Sequence, residues 1–288
     1  MELIIIPHET DHKLPKAAGN GVANRSMESK SLAQRFLASI GAHEYFSPEM
    51  WRASLTELVA TACLMFTLTT SIISCLDSHG VDPKLLVPFA VFIIAFLFLM
   101  VTVPLSGGHM SPVFTFIAAL KGIITPARAS IYILMQCVGS ILGFLTIKTV
   151  MDHNAAQKYN LGGCTTYGVG TQTALVLEFV CTFVVLFVGV TVAFDKKRCK
   201  ELGLTTVCLV VAGAMALAVF VSITVTGKSG YASVGLNPAR CLGPALLQGG
   251  ILWDGHWVFW VGSILACSVY YCFSLTLPKE SLTLVDGE

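Results

Sequence analysis

Two polar-proline pairs, Ser111-Pro112 in "GGHMSPVFTF" and Asn237-Pro238 in "VGLNPARCLGPAL", interrupt otherwise apolar stretches of this chain. Serine and asparagine cap helix N-termini well, and proline suits the first helical position because its missing N–H costs nothing there. Each pair therefore predicts the start of a short helix, about 112–121 and 238–248. Glu57 and Glu178 lie inside apolar runs, and Arg240 follows Asn237 by three residues. A charge at the centre of a membrane helix costs about 2.5–3.5 kcal/mol on insertion scales, so each of the three calls for a purpose. Two helix N-termini, each equivalent to about half a positive charge, set up a field that repels cations. Catalysis fits worse. No nucleophile, histidine partner or metal motif accompanies the carboxylates, and the sequence predicts neither an enzyme nor a cofactor nor a metal site.

The elements that must position these residues are set by composition. Hydrophobic residues make up 55% of the 288 and charged ones 12%, against about 25% charged in soluble domains. Six apolar runs, about 53–76, 85–103, 127–150, 173–194, 203–225 and 256–277, each have the length needed to cross about 30 Å of hydrocarbon. The reading is an all-α integral membrane protein. One domain, 50–277, is flanked by a mobile tail at 1–49 and a short one at 278–288. "LIIIP" near the start is too short for a signal-peptide core.

Six spans put both termini on one side. Lys13, Lys16, Arg25, Lys30, Arg35, Arg52, Lys121, Arg128, Lys196, Lys197, Arg198, Lys200 and Lys279 share it, 13 of the 18 basic residues. Lys84, Lys148, Lys158, Lys228 and Arg240 lie opposite. By the positive-inside rule both termini are cytosolic. The sequon Asn24-Arg25-Ser26 then lies in the cytosol and reads as a chance match. A net charge of +1 argues against nucleic acid as a partner.

Of ten cysteines, most fall in or at the ends of spans, where cysteine acts as a small buried hydrophobe. Cys164, Cys199 and Cys241 are placed in connections. Cys164 in "LGGCTTYG" faces the oxidising side and is free to pair, with its partner left open. In the third span, Gly139-x-x-x-Gly143 permits close helix packing.

The two halves are patterned alike. "ELVAT" carries Glu57 and Thr61, and "EFVCT" carries Glu178 and Thr182, an acid and a hydroxyl one turn apart in each case. From Glu57 to Ser111 is 54 residues; from Glu178 to Asn237 is 59. Three spans per copy force the second copy to enter the membrane from the other side, giving an inverted repeat with its site near the midplane. About ten residues of half-helix reach roughly 15 Å, half a bilayer. The two N-termini then meet at the centre. Non-helical backbone at that depth must be satisfied by protein or water, and each glutamate is expected to accept hydrogen bonds from the loop N–H groups of its own half.

"SGGHMSPVFTF" and "GLNPARCLGPAL" resemble the two Asn-Pro-Ala boxes of the aquaporin family (major intrinsic proteins). Glu57/Thr61, Glu178/Thr182, "QCVGS" (136–140) and "HWVFWVGS" (256–263) fall where that family has its helix motifs. The second box, Asn237-Pro238-Ala239, is intact. The first departs from the pattern, with Ser111 for asparagine and Val113 for alanine. A Ser-Pro-Val first box, together with Cys241 directly after Asn-Pro-Ala-Arg, resembles the plant X intrinsic proteins in particular.

The resemblance implies six helices and two re-entrant half-helices around one channel per subunit, and a homotetramer in membrane lipid. It places Ser111, Pro112, Val113, Asn237, Pro238 and Ala239 at the pore centre, with Asn237 carrying most of the solute contact. It places Val91, Val219, Val234 and Arg240 at an outer constriction. Three valines around one arginine imply small uncharged solutes such as glycerol, urea, boric acid or hydrogen peroxide, with water disfavoured. His109, on the cytosolic side of the first box, is a candidate gate. Two other readings share the fold: a water-selective channel and a structural or junctional membrane protein. An ion-coupled transporter would need titratable midplane groups beyond the two glutamates.

Overall fold

The computed structural model describes residues 34–78, 82–226 and 233–277. Residues 1–33 and 278–288, the sequon at 24–26, and Lys13, Lys16, Arg25, Lys30, Lys228 and Lys279 lie outside them. The regular elements among the described residues are helical. In chain order, the α-helices of six residues or more are α1 (Pro48–Leu76), α2 (Pro83–Ser106), α3 (Pro112–Leu120), α4 (Pro126–Val150), α5 (His153–Lys158), α6 (Thr171–Val185), α7 (Lys196–Thr226), α8 (Pro238–Gln248) and α9 (Trp257–Ser274). Among the described residues, six stretches are long and apolar enough to cross a membrane: α1, α2, α4, α6 extended to Ala193, α7, and α9 with its approach from Gly250. The short helices α3 and α8 fall between the second and third spans of each half.

Proline opens many of these helices. It stands at the start of α1, α2, α3, α4 and α8, where no N–H is required. Side chains of Asp82, Ser111, Thr125 and Asn237 complete the caps by accepting backbone N–H groups. Gly107, at φ 96°, ends α2 and turns the chain back into the membrane. Within α7, Gly203 is non-helical at φ 73° and ψ 162°, so the basic first turns are set off from the span proper.

Close crossings are made by glycines. A Cβ on Gly139 or Gly143 of α4 would strike the carbonyls of Leu58 or Ala62 of α1. A Cβ on Gly243 of α8 would come within 2.7 Å of Phe144 on α4, which brings the half-helix directly onto that span. Side chains such as Leu97, Val101, Leu142 and Val180 stay exposed on the outer faces of the spans, as expected where lipid replaces a protein core.

The tail boundary at residue 50 needs correcting. α1 already begins at Pro48, and residues 40–46 are docked on the start of α4. Ala127 donates its N–H to the Ile40 carbonyl, and Arg128 pairs with Glu44 at 2.6 Å. Gly41 adopts φ 75° directly over Thr125, a backbone approach open only to glycine. These partners lie some 85 residues away in sequence, so local composition carries no trace of the docking.

Candidate functional site

The two half-helix N-termini are held together. Asn237 caps α8 by accepting the N–H groups of Ala239 (3.1 Å) and Arg240 (3.4 Å) at its Oδ1. Its Nδ2 donates to the Met110 carbonyl at 2.8 Å, one residue before the opposite cap. Of the two N–H bonds on that amide, one is committed within the protein. Ser111 caps α3 through Val113 N–H at 3.3 Å. Met110 and Leu236, the residues before each cap, both take left-handed conformations, at φ 46° and 55°.

The props of these strained loops are alike in the two halves. His109 N–H and Met110 N–H donate to Glu57 at 3.1 and 2.6 Å. Gly235 N–H and Leu236 N–H donate to Glu178, both at 2.7 Å. In each half, the donors are the two residues immediately before the cap. Such charge-assisted bonds are roughly twice as strong as neutral ones, and they satisfy non-helical backbone groups that would otherwise be left without a protein partner at this depth. Both carboxylates are buried. Side-chain donors complete them: Ser106 and Gln136 on Glu57, Ser263 on Glu178.

A single cavity runs past these caps. Its walls include His109, Met110, Ser111 and Asn237 together with Val91, Val219, Val234 and Arg240. The four residues of the expected constriction are thus brought together, from α2, α7, the loop before α8, and α8 itself. Pro112 and Val113, by contrast, line a second, lateral pocket with Pro238 rather than this one. Ala239 is fully buried, packed inside the first turn of α8. Most other walls, such as Leu64, Leu68, Ala95 and Met215, are apolar. A neutral solute would meet a line of hydrocarbon broken by a few donors and carbonyls. A bare ion would meet an arginine and two positive helix ends.

His109 is buried rather than swinging free. Its Nδ1 lies 3.1 Å from Thr115 Oγ1, and its ring stands edge-on to Tyr132 at 5.5 Å. Thr115 also accepts from Gln136 at 2.8 Å, so His109, Thr115, Gln136 and Glu57 form one network.

Gln136 and the Met110 carbonyl complete the site. Gln136 carried a signal, being a polar side chain in the middle of an apolar span. The Met110 carbonyl had none, because a backbone acceptor leaves no mark on residue type. The cysteines need a correction as well. Cys241 belongs to α8 and not to a connection, and it forms a disulfide with Cys164. Arg240 reaches the same loop, with Nη1 at 3.1 Å from Cys164 Sγ and Nη2 at 3.4 Å from the Gly162 carbonyl.

Comparison with known proteins agrees with this architecture. The family description "Major intrinsic protein" matches residues 44–270. "Probable aquaporin PIP2-6" of Oryza sativa subsp. japonica is 29% identical over 239 residues, covering 78% of this chain and 81% of that protein. "Aquaporin TIP1-2" of Zea mays is 28% identical over 231 residues, covering 78% and 85%. Among solved structures, the aquaglyceroporin from Plasmodium falciparum superposes with a TM-score of 0.61 at 18% identity, over 77% of this chain and 96% of that one. The last likeness bears on the fold alone. The chain belongs to the major intrinsic protein family, a multi-pass membrane channel family that includes the aquaporins.

Proposed function

We propose that this protein is a passive channel for small uncharged solutes, glycerol, urea, boric acid and hydrogen peroxide among them, and that it passes water poorly and excludes ions and protons. The observation that carries the reading is the wall shared by Val91, Val219, Val234 and Arg240. Water crossing an apolar ring gives up hydrogen bonds that one arginine replaces only in part, at about 1 kcal/mol net for each bond lost. A polyol or amide lays its carbon face on the valines while its oxygens meet Arg240 and then the free N–H of Asn237. The asymmetric centre, with an amide on one cap and a hydroxyl on the other, makes Asn237 the main contact there.

The working form is a homotetramer in the plasma membrane with both termini cytosolic. Arg35, Arg52, Lys121, Arg128 and the basic start of α7 support that orientation. His109, held by Thr115 beside the lumen, is the candidate gate. Stopped-flow light scattering on proteoliposomes tests the reading with a solute panel that includes water. Glycerol and urea should cross well above empty vesicles and water only slightly. Fast water flux with no solute flux would overturn it.

A further inference from the structure

Arg240 is a buried cation with no carboxylate in ion-pair distance among the described residues. Both terminal nitrogens of its guanidinium instead approach one short loop, through Gly162 O and Cys164 Sγ. That loop is fixed on every side. Leu161 is fully buried at φ 52°. Gly162, at φ 67°, lies so close to Thr69 of α1 that a Cβ would collide with it, and a Cβ on Gly163 would come within 2.7 Å of Leu252. Cys164 is bonded to Cys241, the residue directly after Arg240, across 77 residues of sequence. The two sulfurs are sealed against Phe259, each cysteine about 1% exposed.

We propose that Gly162 and Cys164 are positioning residues of the constriction: the Cys164–Cys241 disulfide locks the Gly162 carbonyl against the Arg240 guanidinium, so the 160–164 loop sets the solute cross-section through Arg240. The inference rests on the channel reading above, in which Arg240 meets the solute. An arginine side chain has many rotamers, and holding one costs entropy that two fixed partners offset. A covalent tie between the loop and the first turns of α8 keeps those partners in register with the guanidinium they hold. Without it, loop and arginine move independently and the opening widens on average.

The test uses the whole protein in proteoliposomes. Dithiothreitol gives up two hydrogens and closes to its own cyclic disulfide, while Cys164 and Cys241 each become a thiol; alkylation and mass measurement report completion. A Cys164→Ser/Cys241→Ser double variant serves where the reagent does not reach the buried bond. The readout is the permeability of glycerol relative to its four-carbon homologue erythritol, with helix content followed by circular dichroism. With the bond opened and helix content retained, that ratio should fall by about fivefold, the worth of one net hydrogen bond, and the double variant should not respond to dithiothreitol. An unchanged ratio with the bond verified open overturns the proposal. Loss of helix content in both the reduced protein and the variant also overturns it, since the disulfide would then staple the fold rather than position the arginine. If untreated protein passes no neutral solute above empty vesicles, the channel reading fails and the inference with it. Normal untreated flux with an unmoved ratio removes the positioning role alone.

Discussion

Asn237 Nδ2 and the Met110 carbonyl oxygen, 127 residues apart in sequence, lie 2.8 Å from each other and tie the two half-helix N-termini together. The bond makes the centre of the cavity a joint property of both halves. It also commits one of the two N–H bonds of the asparagine amide within the protein. Around this bond the two halves repeat their chemistry, each with a buried glutamate holding the two residues before its cap.

Arg240→Val should raise cation or proton leak in reconstituted bilayers while the protein still folds. It removes a fixed charge from the wall of the cavity but none of the bonds to Glu57 or Glu178. Unchanged ion conductance together with unaltered solute flux would count against a filter role for this residue.

Glu57→Gln and Glu178→Gln should each lower the melting transition followed by circular dichroism. Glutamine keeps one oxygen but turns an –NH₂ toward backbone N–H donors. Hydrogen bonds to a charged group are worth about 1.5–3 kcal/mol each, so a loss of that order is expected per variant. Wild-type melting and flux in both would remove the supporting role.

Gln136→Leu should destabilise more than Ser140→Ala, one turn further along the same helix. The first leaves Glu57 and Thr115 each short of a donor now at 2.8 Å, with a penalty of about 1–3 kcal/mol for buried groups left unpaired. Ser140 Oγ is buried and makes no hydrogen bond, so its removal should be close to neutral. Equal melting temperatures for the two variants would contradict the network.

Ser111→Asn and Val219→His separate the centre from the constriction. Serine already caps α3, so the asparagine should change stability by only tenths of a kcal/mol. If selectivity resides at the constriction, the glycerol-to-water permeability ratio should shift far more with Val219→His, which narrows the ring and supplies a polar partner for water. The opposite ranking in stopped-flow light scattering would move selectivity to the Ser111 box.

By itself the sequence determined the spans, the inverted repeat and the two half-helices, because hydrocarbon thickness and proline-capped helix starts act on neighbouring residues and leave their mark on residue type. Pro112–Leu120 and Pro238–Gln248 were legible for that reason. So was the expense of Glu57, Glu178 and Arg240, since a charge in an apolar run stands out alone. What only the tertiary structure decided are the pairings between distant segments. Asn237 with Met110, Cys164 with Cys241, Arg240 with Gly162, and Glu44 with Arg128 join positions separated by 77 to 127 residues. Several of these use backbone carbonyls, which every residue carries alike. Which carbonyl faces which donor follows from how closely the helices cross, and that is set where glycines such as Gly139, Gly143 and Gly243 let one backbone meet another.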